Sequence, residues 1–76
     1  MSDDVSPQVR MANDIAIQFA HLPPRQAARE VAHHITMFWD PRMRTELDHL
    51  ADTPPQDLDP LALEAARLLR NAHVNP

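Results

Sequence analysis

The chain has no cysteine, no glycine and no lysine, and only three aromatic residues among its 76. Each absence closes off some chemistry. Without cysteine there is no disulfide staple and no thiolate metal site, and that usage fits a cytoplasmic protein. Without glycine there is no phosphate-cradling loop and no dinucleotide-binding fingerprint. Serine occurs only at Ser2 and Ser6. Ser6 is better explained as a helix cap, so a Ser-His-Asp triad is not expected. No apolar run approaches the roughly 18 residues of a membrane span. The opening Met1-Ser2-Asp3-Asp4 is acidic where a secretory signal would be basic, so the expectation is a soluble chain that is not exported and meets no membrane.

All seven basic residues are arginine, yet the net charge is −4. Phosphate affinity depends on basic excess, so a general nucleic-acid binder is not expected. Arg25 and Arg29 are the one pair that could mark a recognition helix, and the net acidity outweighs them. Arginine in place of lysine suits a protein interface. The same bias follows from a genome that codes arginine for lysine throughout. At this length one domain is the limit. Such a chain buries only about 60% of the surface its unfolded form exposes, so it relies on close helix packing or on docking to something larger.

Helical punctuation is clear. Ser6-Pro7 reads as an N-cap followed by the first residue of a helix reaching about His21, with Ala12, Ile15, Ala16, Phe19 and Leu22 as its stripe. Pro23-Pro24 breaks that helix and opens a second. The second reaches about Trp39 and carries Ala28, Val31, Ala32, Ile35, Phe38 and Trp39 on one side. Asp40-Pro41 starts a third, faced by Met43, Leu47, Leu50 and Ala51. The polar linker 52–57 comes next. Asp59-Pro60 then opens a fourth helix, striped by Leu61, Ala65, Leu68, Leu69 and Ala72. No segment alternates as a strand does, and no hairpin turn dipeptide is present. The expected fold is all-α, a single small domain of about four short helices over 1–76. A sharp Asp-Pro corner is expected between helices two and three. The core is placed at about 6–73, with 1–5 and 74–76 as flexible ends.

Two Glu-x-x-His pairs, Glu30/His33 and Glu46/His49, raise the question of metal chemistry. A di-iron bundle needs such pairs aimed into its core, with a carboxylate from each remaining helix. The periodicity instead puts Glu30 and His33 on the polar side of helix two, and Glu46 and His49 at the edge of the third stripe. Helix one has no glutamate, and Asp14 faces outward. His33 and His34 are adjacent and diverge on a helix; His21 and His73 fall near helix C-termini, where a histidine suits the dipole. No catalytic, cofactor-binding or metal residue is expected.

What remains is contact chemistry. Phe38-Trp39-Asp40-Pro41-Arg42-Met43-Arg44 combines adjacent aromatics, a helix stop, a helix start and two arginines, a composition typical of protein interfaces. Trp39 is expected to fill the corner between its two helices. Ile17, Met37 and Leu63 fall on the side of their helices away from the core stripe, and together they are read as part of a docking patch. The candidate interface residues are therefore Trp39, Arg42, Met43, Arg44, Ile17, Met37 and Leu63.

Arg10-Met11-Ala12-Asn13-Asp14-Ile15-Ala16, Val31-Ala32-His33-His34-Ile35, the Phe38–Arg44 run and Leu58-Asp59-Pro60 form one ordered series. The series resembles the delta subunit of the soluble, NAD-dependent, molybdenum-containing formate dehydrogenases of bacteria, over about residues 8 to 70. The Phe38–Arg44 run is the specific part. The chain departs from the pattern in the linker, where Pro54-Pro55 stands and relatives often carry glycine. The resemblance implies a cytoplasmic, non-catalytic accessory subunit that supports assembly or stability of the complex by contacting the catalytic alpha subunit. Its alternative is a transient maturation chaperone that aids molybdenum-cofactor insertion into that subunit. It also implies that bis-molybdopterin guanine dinucleotide, iron–sulfur clusters and FMN reside in other subunits and none in this chain. Arg42 and Arg44 are then the expected polar contacts, with Trp39 and Met43 as the apolar pair beneath them. An isolated chain is free to pair with a second copy through the surface meant for its partner.

Overall fold

The described residues form four helices: α1 (Pro7–Phe19), α2 (Pro24–Phe38), α3 (Pro41–Asp52) and α4 (Pro60–Val74). The computed structural model describes the backbone of residues 6–74 and the side chains of residues 6–71. The expectations for 1–5, 75 and 76, and for the side chains of Ala72 and His73, lie outside the described residues.

Each helix begins with proline, and the reason is local. Proline disfavours the helical region for the residue before it and fixes its own φ near the helical value. Ser6, Pro23 and Asp40 accordingly have ψ of 142°, 144° and 167°, and the next residue starts a helix. Side chains complete three of these starts. The Gln8 amide donates to Ser6 Oγ at 3.1 Å, the Met43 amide to Asp40 Oδ1 at 2.9 Å, and the Leu61 amide to Asp59 Oδ1 at 2.8 Å. Pro23 offers no side-chain acceptor, so α2 begins with its first turn uncapped in this way. No described residue has a positive φ, so no described position calls for glycine. Helices α1, α2 and α3 end without a left-handed cap: Ala20 stays helical at φ −65°, Trp39 is extended at φ −94°, ψ 141°, and Thr53 has φ −133°.

Helix α4 is the common partner, packing on α2, α3 and α1. Helix α2 lies mainly on α4 and then on α1, while α2 and α3 hardly touch each other. Two extended residues, Trp39 and Asp40, carry the chain from one to the other. The core joins Val9, Ile15, Val31, Ile35, Trp39, Leu47 and Leu58 with a set of alanines. Nine of the sixteen buried apolar residues among those described are alanine. An alanine brings only a methyl group to the core, so the helices can approach closely, but each such contact stabilises by less than about 1 kcal/mol. The few large side chains carry a large share of the burial.

Two sequence expectations need correction. Phe38 does not join the α2 core stripe: it is 72% exposed. It sits in the last turn, where α3 has already diverged and nothing covers that side of α2. Leu63 does not point away from the core: it is half-buried and packed against it. With three helices around it, α4 has an inward arc wider than a single stripe. Just past the polar linker 52–57, Leu58 is buried, with its amide donating to the Pro55 carbonyl at 3.0 Å.

One side chain locks this linker. Asn13, on α1, donates from Nδ2 to the Asp57 carbonyl at 2.8 Å and accepts from the Asp59 amide at Oδ1, also at 2.8 Å. It thereby joins two segments more than 40 residues apart and sets where α4 begins. Asn13→Ala removes both bonds and leaves the half-buried Asp59 amide without this acceptor. Its expected cost is roughly 1–3 kcal/mol, read by chemical denaturation. A change within about 0.5 kcal/mol, the usual range for an ordinary surface position, would show that the linker holds itself.

Candidate functional site

The Phe38–Arg44 run divides its side chains between different surroundings. Phe38 and Met37 stand 72% and 63% exposed. Phe38 leans on His34, with ring centroids 4.7 Å apart and planes tilted by 39°. Trp39, next in sequence, is buried in the core. Asp40 spends its carboxylate on the α3 cap, Arg42 is exposed, and Met43 is half-buried against the core. Arg44 is half-buried and lines a separate groove.

The seven candidate contact residues therefore do not form one patch. Met37 and Arg42 are exposed at the two ends of the α2–α3 connection, with Trp39 and Met43 as apolar support beneath. Ile17 is 68% exposed but belongs to α1. Leu63 packs inward. Sequence periodicity missed Phe38 as an exposed aromatic. The signal that could have found it is its position at the very end of α2, where burial depends on the direction of the next helix more than on α2's own stripe.

The groove between α3 and α4 has a volume of about 460 Å³ and an open mouth. Its lining comes from one face of each helix: Pro41, Arg44, Thr45 and Asp48 follow helical spacing on α3, and Ala66, Leu69 and Arg70 do so on α4, over a floor that includes Leu47. Thr45 has turned its hydroxyl back to donate to the Pro41 carbonyl at 2.9 Å. One end is strapped by Arg70. Its Nε donates to Asp48 Oδ1 at 2.7 Å, its Nη2 to the Asp48 carbonyl at 2.8 Å, and its Nη1 lies 2.8 Å from Asp52 Oδ1. Hydrogen bonds that the Arg70 guanidinium donates to Asp48 and then to Asp52 hold it above its ordinary pKa, against a smaller opposing effect of desolvation. A raised folded-state pKa stabilises fully below the unfolded value and is lost only as pH rises through the folded one. For arginine that lies in strong alkali, so the strap's arginine stays charged through the neutral range.

A second depression of about 500 Å³ lies between the start of α2 and α4, lined by Pro24, Arg25, Ala28, Arg29, Glu64 and Leu68. Among the described residues, Arg70 is the one arginine within ion-pair distance of a carboxylate. Glu30, His33, Glu46 and His49 are all exposed, and no described cluster of three histidines or carboxylates could hold a metal ion. With no cysteine, the chain has no thiolate to hold an iron–sulfur cluster. No polar or charged described residue is buried in the core. No described helix is long and apolar enough to cross a membrane.

These features define a small all-α domain whose polar chemistry lies on its outer faces. The family model of the NADH-dependent formate dehydrogenase delta subunit, FdsD, matches residues 8–66, and the chain belongs to that family. No curated protein and no solved structure matches it. The matched span contains both the Phe38–Arg44 run and the Asn13 contact with Asp57 and Asp59.

Because Trp39 is buried, its removal should act first on folding. Trp39→Ala is expected to cost roughly 3–5 kcal/mol. Total stability at this length is only about 4–11 kcal/mol. The cooperative thermal transition should shift far down or disappear. A loss below about 1 kcal/mol would mean that the indole is not a structural support.

Proposed function

We propose that this chain is a non-catalytic accessory subunit of a cytoplasmic NAD-dependent molybdenum formate dehydrogenase. It supports assembly or stability of the complex by contacting the catalytic alpha subunit through the α2–α3 connection. The observation that carries this reading is the exposed Met37-Phe38 pair, set directly beside the buried Trp39. An exposed phenylalanine and methionine on so small a domain are poorly accounted for by solvation, and aromatic residues and methionine are enriched at protein interfaces. The backbone beneath them is fixed by the Trp39 anchor and the Asp40 cap, which lowers the ordering cost of binding. Arg42, exposed just beyond, adds a cation at the rim.

The test is recovery of partner subunits with the tagged full-length chain from its native host, comparing wild type with the Met37→Ser/Phe38→Ser double variant. Both changed residues are largely exposed, so the thermal transition should hold. Recovery of the alpha subunit should fall at least about tenfold, the loss expected of an interface hot spot. Wild-type recovery at fixed stoichiometry with active enzyme fits a subunit. Enrichment on cofactor-poor alpha subunit would favour the maturation chaperone. A double variant that binds as wild type does would remove the α2–α3 connection from the interface.

A further inference from the structure

We infer that the α3–α4 groove is a second contact site, taking a segment of the catalytic subunit that presents an apolar side chain followed by a carboxylate. The inference rests on the reading of the chain as a subunit of that complex. Its basis is the uneven charge along the groove. At the end toward the α3 C-terminus, Arg70 is satisfied by both Asp48 and Asp52. The lining between is apolar, formed by Leu47, Ala66 and Leu69. At the other end Arg44 lines the groove half-buried, with no carboxylate within ion-pair distance among the described residues.

Arg44 is also placed against its own helix. It lies in the first turns of α3, where the macrodipole favours negative charge, and the Asp40 carboxylate that caps this end through the Met43 amide is not within ion-pair distance of Arg44. A guanidinium that is partly withdrawn from water, unpaired and near a helix N-terminus gains more from an incoming carboxylate than a freely solvated one does. The Asp48–Arg70–Asp52 strap joins the two helices across one end of the groove, and the groove is open in the unbound chain. Thr45 cannot compete for the incoming group without breaking its bond to the Pro41 carbonyl. The groove is open along one side, which suits a protein segment laid across it better than a small molecule enclosed by it.

The experiment uses the full chain co-expressed with the formate dehydrogenase subunits. Arg44→Glu should leave the thermal transition in place and lower alpha-subunit recovery at least about tenfold at low salt, with Arg44→Lys in between. A photo-crosslinking residue in place of Thr45, on the groove rim, should attach to an alpha-subunit peptide containing Asp or Glu. Reversing that acidic residue to arginine should restore binding to the Arg44→Glu chain, a rescue that a merely structural role would not give. Arg44→Glu binding as tightly as wild type would overturn the inference while leaving the subunit reading intact. So would a crosslink confined to a second copy of the chain. A wild-type chain that recovers no formate dehydrogenase subunit would overturn the subunit reading, and the inference with it.

Discussion

The position of α4 depends on Asn13. Every other helix packs on α4, so an error in where α4 starts would be carried into all three contacts. The linker before it is too polar and proline-rich to place that start by hydrophobic burial alone. Asn13 supplies what is missing: an amide with one donor and one acceptor used at once, the donor on the Asp57 carbonyl and the acceptor on the Asp59 amide. Either a serine or an aspartate would meet this geometry poorly. Serine is too short to span both groups, and aspartate at neutral pH has no donor for the carbonyl. Leu58, between the two anchored residues, is thereby held in the core. Asp59 is then free to use its own side chain on the Leu61 amide.

That arrangement explains how a chain without glycine or cysteine keeps a defined shape. Proline at each helix start lowers the entropy of the unfolded chain at positions whose dihedrals it already satisfies. Alanine along the helix contacts loses almost no side-chain entropy on burial. The core is economical rather than large, and its stabilisation is concentrated in Val9, Ile15, Val31, Ile35, Trp39, Leu47 and Leu58. Polar anchors such as Asn13 and Arg70 then decide register, because a seam of methyl groups resists sliding less than interlocked large side chains do.

Much of this fold was legible in the sequence because proline acts locally. Ser6-Pro7, Pro23-Pro24, Asp40-Pro41 and Asp59-Pro60 are read from neighbouring residues alone, and all four helices begin where they indicate. Helix ends are set less locally, and α1 stops at Phe19, two residues before the expected His21. Burial is set least locally of all. Val9, Ala27, Ala62 and Ala66 are buried but fell outside the expected stripes, since a helix with neighbours on several sides hides a wider arc than one stripe. Phe38 failed in the opposite direction, because a residue at a helix end loses its cover when the next helix turns away. Asn13 could not be read at all, because both its partners lie more than 40 residues on.

The same geometry limits what the Phe38–Arg44 run can be. Seven consecutive residues look like one recognition element in the sequence, but the backbone changes type within them. Phe38 closes α2, Trp39 and Asp40 are extended, and Pro41 opens α3. An extended residue sends its side chain opposite to its neighbour's, so an exposed Phe38 beside a buried Trp39 follows from the turn itself. Within α3, residues two apart are separated by about 200° around the axis, so Arg42 and Arg44 cannot share a face. Met43, between them, packs on the core instead. The run is thus a junction whose buried residues hold two outward surfaces in fixed relation, one at the α2–α3 connection and one along α3 and α4. A single flat epitope would not need a helix break in its middle; two surfaces held by one short run of chain do.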